Sequence, residues 1–232
     1  MYTFSNKLRE FIFMKKLIIS ALFLLISVCG LCQQKANACI VSNLDDKMTH
    51  THYGLTIFSN YVDTYDMDFN CNEYIINYIK QKLAYKFNFV ELPANIPVMG
   101  IAEKFNSYEI QDKSLYLLDS LKNNNIDYVI RIQKVSFNYP LLGNSIYTNW
   151  GLFTYGRASF VYAAFSASII KVNEAKFGPS IRYLPDEDYI MMKEIRAPKH
   201  NDDSLTPEVL ALIPAPIIRL VNRILDEILP KW

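Results

Sequence analysis

Two stretches, Ile126–Val135 and Arg157–Val172, limit what this chain can fold into more than any other part of it. In the first, Tyr128, Ile130 and Ile132 alternate with Val129, Arg131, Gln133 and Val135. Strict alternation is the period-2 signature of a strand. In the second, Phe160, Tyr162 and Ile170 fall on one side, and Val161, Phe165 and Ile169 on the other. A long strand that is apolar on both sides belongs in the middle of a sheet covered on both faces. The intervening Asn138–Gly156 reads as a loop rich in aromatic residues. Gly143, Gly151 and Gly156 would let its backbone fold back on itself.

Around this pair the chain alternates. His52–Ser59 reads as a first strand, and Asp63–Asn72 as an acidic turn. Ile75, Ile76, Ile79 and Leu83 recur at helical spacing over Asn72–Phe87, with Asn70 or Asn72 as cap. Asn88–Leu92 is a short strand. Asp112–Lys122 is a second helix with Leu115, Leu118 and Leu121 on one stripe, and Asn123–Asn125 ends it. Tyr189–Glu194 is a further short strand. Thr206-Pro207 opens a closing helical segment in which Ile217, Ile218, Val221, Ile224, Leu225 and Ile228 share one face. The order predicts an α+β (α/β) fold: a mixed sheet of about five strands with two or three packed helices, in a single domain.

Lys15-Lys16 followed by the uncharged run Leu17–Leu31 has the form of a secretory signal peptide. Met14 precedes the lysines and is an alternative start. Residues 1–32 are therefore expected to be a signal peptide, 33–51 a polar tether, and 52–232 the folded domain. Gly30-Leu-Cys32 and Ala36-Asn-Ala38 both offer small residues at cleavage positions. An uncleaved anchor or a lipidated cysteine is the alternative, and the only expected route to a membrane. Without residues 1–32 the chain keeps 20 basic and 22 acidic residues, which gives no electrostatic footprint for nucleic acid. Export to an oxidising compartment makes Cys39 and Cys71 a candidate disulfide, worth about 3–4 kcal/mol. Two unpaired thiols is the other reading.

No phosphate-binding glycine loop, nucleophile elbow or zinc-protease motif is present. No cofactor is implied, and no catalytic residue stands out. His50 and His52 would share one side of an extended segment, but two histidines are half a metal site. They read as solvated tether residues, so no metal is expected. The candidate binding residues are Tyr139, Tyr147, Trp150, Phe153 and Tyr155, because aromatic side chains dominate binding hot spots. Packing of the same rings over the sheet remains the alternative.

The Leu-rich helix feeding Asn124-Asn-Ile-Asp-Tyr-Val129, with the order of elements, resembles a group of bacterial envelope domains. These are the TolB amino-terminal domain, the LpoB-type penicillin-binding-protein activators and the CsgG-type secretion lipoproteins. Where they often read Gly-Ala-Asp-Tyr-Val, this chain keeps Asp127, Tyr128 and Val129. The resemblance covers about Tyr53–Leu229 and implies an α/β envelope domain that carries no catalytic residues. The expectation is an exported, non-catalytic protein-binding or accessory module, in the periplasm, cell envelope or extracellular medium. A carbohydrate-binding protein or hydrolase using segment 139–155 is the alternative.

Overall fold

The computed structural model describes residues 15, 35–54, 60–94, 96, 115–135, 137–138, 145–147, 149–156, 158–182, 189–196 and 204–232. The expected signal peptide and the acidic runs 186–188 and 202–203 lie outside them, apart from Lys15. Two compact units are distinguished, Met1–Lys35 and Ala36–Trp232. The second is a mixed sheet with helices on both faces.

The strand expected from Arg157–Val172 is β9, Ala158–Lys171, and the sheet is assembled on it. Its second half pairs antiparallel with β5, Tyr128–Lys134, and its first half with β8, Asn149–Tyr155. Lys134 pairs with Phe165, and Asn149 with the adjoining Ala164. β5 and β8 thus run end to end beside one unbroken strand. The pattern repeats one strand further out. β1, Ala36–Ser42, lies parallel to β5, and β2, Met48–Tyr53, lies parallel to β8. β3, Tyr61–Tyr65, pairs with β2 and ends the sheet on one side, while β4, Phe87–Phe89, pairs with β1 and ends it on the other. β6, Phe137–Asn138, and β7, Ser145–Tyr147, form a separate two-stranded sheet. β10, Lys176–Arg182, and β11, Ile190–Met191, both pair with β9.

The class is the expected one, and the sheet is larger. The expected tether contains β1, a strand with neighbours on both sides. Its short polar residues take ladder and side-chain bonds: Asn37 N donates to Asp127 Oδ2 at 2.8 Å, and Asn37 Nδ2 to the Asn125 carbonyl at 2.9 Å. The strand expected at His52–Ser59 is β2, which runs Met48–Tyr53 and also begins inside the expected tether; 55–59 lies outside the described residues. β3 overlaps the start of the expected acidic turn, at Asp63–Tyr65.

The two sides of β9 meet different helices. Val161, Ala163, Phe165, Ala167 and Ile169 join the main core with helix α1, Cys71–Leu83. That core also takes the two helices expected as one closing segment: a short α3, Pro207–Ala211, packs at its margin, and α4, Pro214–Ile228, enters it. Asn70 caps α1, its Oδ1 accepting from Glu73 N at 3.0 Å. On the opposite side, Ile170 packs with Cys39, Val41, Val129 and with Leu117, Leu118 and Leu121 of α2, Leu115–Asn123. Asn125 leaves α2 at φ 55°, the left-handed exit expected of that asparagine run.

Cys39 and Cys71 are free thiols, so the candidate disulfide is not made. They sit in separate clusters on opposite faces of the sheet, which no bond of two sulfurs can span. Burial pushes the Cys39 thiol up to about 12 and raises that of Cys71 further, which leaves both unreactive at neutral pH.

Docking of α4 is open to a direct test. Ile224 is 2% exposed within the main core. Ile224→Ala should cost about 2–5 kcal/mol in chemical denaturation. Arg219→Ala, on the outer face, should stay within about 0.5 kcal/mol of the parent. Equal losses would show that this helix does not dock on the sheet.

Candidate functional site

The five candidate binding residues do not form one surface. Trp150, Leu152 and Thr154 point to one side of β8, and Phe153 and Tyr155 to the other, by the alternation of any strand. Trp150 is 1% exposed in the main core. Its indole N–H donates to the Asp45 carbonyl at 3.0 Å, and Phe69 meets its ring edge-on at 5.8 Å. Trp150 is therefore a core residue with a satisfied polar edge. Tyr147 is described only as backbone of β7, and Tyr139 lies outside the described residues.

Phe153 and Tyr155 belong to an aromatic face. Phe153 stacks on Phe160 at 6.0 Å between centroids, with planes 21° apart, and Tyr53 lies 5.9 Å from Phe153 on its other side. Tyr189 meets Phe160 edge-on at 4.8 Å. Tyr162 and Ala164 continue the cluster inward. Cross-strand register adds two more side chains to this face: Tyr155 opposite Ala158, and Met191 opposite Phe160. The inner rings are buried, whereas Tyr155, Tyr189 and Met191 are 39%, 40% and 52% exposed. Tyr53, Tyr189 and Met191 are additions to the expected set. Their arrival depends on β11 and β2 finding their registers against distant strands, which local periodicity does not encode.

A polar cluster lies at the same end of the sheet, on the other face. His50 and His52 alternate along β2 with Thr51 and so point the same way. Both rings reach the Thr154 hydroxyl, His50 through Nε2 at 2.9 Å and His52 through Nδ1 at 2.7 Å. Tyr61 stacks on His52 at 4.9 Å and stands edge-on to His50 at 5.4 Å. His50 is fully buried and His52 nearly so, in contrast to the solvated tether expected. Burial, reinforced by the neighbouring His52, lowers the His50 imidazole to about 4, and burial lowers His52 as well. Among the described residues, His50 Nδ1 has no hydrogen-bond partner, and no three His, Cys, Asp or Glu side chains gather as a metal centre would need. At neutral pH the pair is a neutral, hydrogen-bonded plug that ties β2 to β8.

No family model matches this chain, and no curated protein matches its sequence. Solved structures do align with it. Protein XCC0632 of Xanthomonas campestris, from family DUF330, is 8% identical over 84% of this chain and 81% of its own, with a TM-score of 0.40. Lipoprotein GNA1162 of Neisseria meningitidis is 10% identical over 81% and 99%, at 0.27. The LpoB C-terminal domain of Salmonella enterica is 10% identical over 72% and 91%, at 0.24. The LpoB type named from the sequence is thus among the structures that align. At these scores the likeness carries no argument about what this chain does.

The histidine pair sets an acid limit on stability. Unfolding returns His50 to its ordinary value near 6.5. Between that pH and about 4 the unfolded chain binds a proton that the folded chain refuses. Stability should therefore fall as pH drops through this window, by about 3 kcal/mol from His50. Denaturant midpoints measured from pH 7 to 5 should decline less steeply for His50→Gln than for the parent. Parallel slopes would remove His50 as the cause.

Proposed function

We propose that this chain is an exported, non-catalytic module of the bacterial cell envelope that binds another protein through the aromatic face. The observation that carries the reading is the rim of Tyr155, Tyr189 and Met191, exposed around rings that are already stacked. Aromatic and methionine side chains are enriched in protein interfaces. Here Tyr155 and Met191 stand on strands of one sheet and Tyr189 directly precedes one, so little side-chain freedom is lost on binding. Trp150, the tryptophan of segment 139–155, is buried and gives the alternative sugar-binding or hydrolytic reading no platform.

Export rests on the Lys15–Leu31 pattern. The fold bears on where processing would occur. Cleavage after Ala38 would cut β1 where Ala38 and Cys39 pair with Tyr128 and Val129. Cleavage before Gln33 leaves that strand whole, and the compact unit begins at Ala36. The processed protein would then be a single domain. Among the described residues no helix is long and apolar enough to cross a membrane.

Crosslinking in intact cells, followed by mass spectrometry, tests both parts. A mature N-terminus near Gln33 is expected, and a chain retaining Met1 or Met14 would contradict processing. Tyr189→Ala with Met191→Ala should leave the thermal midpoint nearly unchanged and abolish one specific crosslinked partner. Trp150→Ala should instead destabilise the fold by about 3–5 kcal/mol. Retention of every crosslink in the double variant would move the binding surface elsewhere.

A further inference from the structure

We infer that β2 and β3 form a unit that mild acid releases from β8 while the sheet around β9 stays folded, because two buried imidazoles share one hydroxyl at the seam. This seam is poor in apolar contacts. β2 has a strand on either side, yet Met48 is its one buried apolar side chain. No residue of β3 is fully buried. β5, by contrast, buries Val129, Ile130 and Ile132 completely. Elements with few buried apolar contacts open at the lowest cost. The chain is fixed on either side of the unit. Asn149 and the Trp150 indole hold Asp45 and Lys47 before it, and Asn70 caps α1 after it.

What ties β2 to β8 is polar, and it has no room for another proton. The Thr154 hydroxyl carries one hydrogen and meets both rings. His50 Nδ1 has no hydrogen-bond partner among the described residues, so the neutral ring keeps its proton on Nε2, where it donates to Thr154 Oγ1. The hydroxyl then donates to His52 Nδ1. A second proton on His50 would sit on Nδ1 and find no acceptor. One on His52 would oppose the hydroxyl hydrogen. From β3, Tyr61, Asp63 and Tyr65 face the pair; from β8, Leu152 and Thr154 do, and neither ionises. Asp63 stands opposite His50 in register but gives Nδ1 no hydrogen bond that would hold an imidazolium. Once β2 is released into water both rings take protons freely, so acid favours the open form. Tyr53 shares β2 and lies 5.9 Å from Phe153, so release also withdraws a ring from the aromatic face. Any effect on a partner rests on the binding reading above, whereas the release itself does not.

Amide hydrogen exchange of the full chain at pH 7 and pH 5, corrected for intrinsic rates, tests the release. Met48–Tyr53 and Tyr61–Tyr65 should exchange ahead of β5 and β9 at both pH values. With His50 at 6.5 when open and about 4 when closed, opening of β2 and β3 should rise about twentyfold from pH 7 to pH 5. His50→Gln should remove most of that rise. Thr154→Val, which lacks the shared hydroxyl, should loosen β2 already at pH 7. Exchange of β2 and β9 together as one unit, equal protection of β2 at the two pH values, or a rise that His50→Gln leaves intact would each overturn the proposal.

Discussion

The fold depends on β9 running unbroken past two interrupted neighbours. β5 gives way to β8 beside it, and β1 gives way to β2 one strand further out. Each interruption removes ladder hydrogen bonds, and buried backbone groups left unpaired are costly. Side chains take over those bonds. Asn149, fully buried at φ 86°, accepts from Asp45 N at 2.9 Å and donates to the Lys47 carbonyl at 3.1 Å. Asn43 accepts from Lys134 N at 2.7 Å, while its own N–H reaches the Ile132 carbonyl at 3.2 Å. The Trp150 indole closes on the Asp45 carbonyl. Asparagine suits this work because it tolerates the left-handed conformation and both donates and accepts. The join also requires closeness: a Cβ on Gly151 would lie 1.8 Å from the Thr49 carbonyl oxygen.

Helix packing follows from the same strand. Ala163 and Ala167, on either side of Phe165, keep this side of β9 shallow, and the apolar stripes of α1 and α4 fill that surface. Where the two helices meet at the surface, the contacts turn polar in step with the helical repeat. Tyr74 donates to Asn222 and Tyr78 to Asp226, each at 2.7 Å, and Lys82 reaches the same Asp226 at 3.1 Å. The Trp232 indole donates to the Pro179 carbonyl at 2.8 Å, joining the end of the closing segment to β10. The apolar area supplies most of the stabilisation, and the ladder fixes which turn of one helix faces which turn of the other.

What could be read from the sequence was whatever carries its own period. β5, β9, α1 and α4 each show an uninterrupted apolar repeat, so their existence and their buried faces were legible. β1, β3, β8 and β10 were not. β1 is Ala-Asn-Ala-Cys-Ile-Val-Ser, whose small and polar residues look like a linker until β4 and β5 lie alongside. β10 contains Gly178 and Pro179, both unfavourable in strands, and its register against β9 shifts around them. β8 was hidden because its aromatic residues, next to Gly151, imitate a binding loop. In each case pairing with a distant strand decides the structure, and local propensity does not report it.

The candidate site shows the same limit at the level of single residues. Counting aromatic residues in segment 139–155 treats them as equivalent, whereas the strand they occupy sorts them by parity. Trp150 falls on the side facing α4 and closes the join between the paired strands, so its ring serves the fold. Phe153 and Tyr155 fall on the side where Phe160 and Tyr189 continue the row, Phe153 buried within it and Tyr155 exposed at its rim. The largest aromatic residue of the segment is thus the least available for recognition. Two of the three exposed rim residues, Tyr189 and Met191, lie outside any sequence window around Trp150. A surface assembled this way can change its rim residues without disturbing the core, because the rings that hold it in place are already buried beneath it.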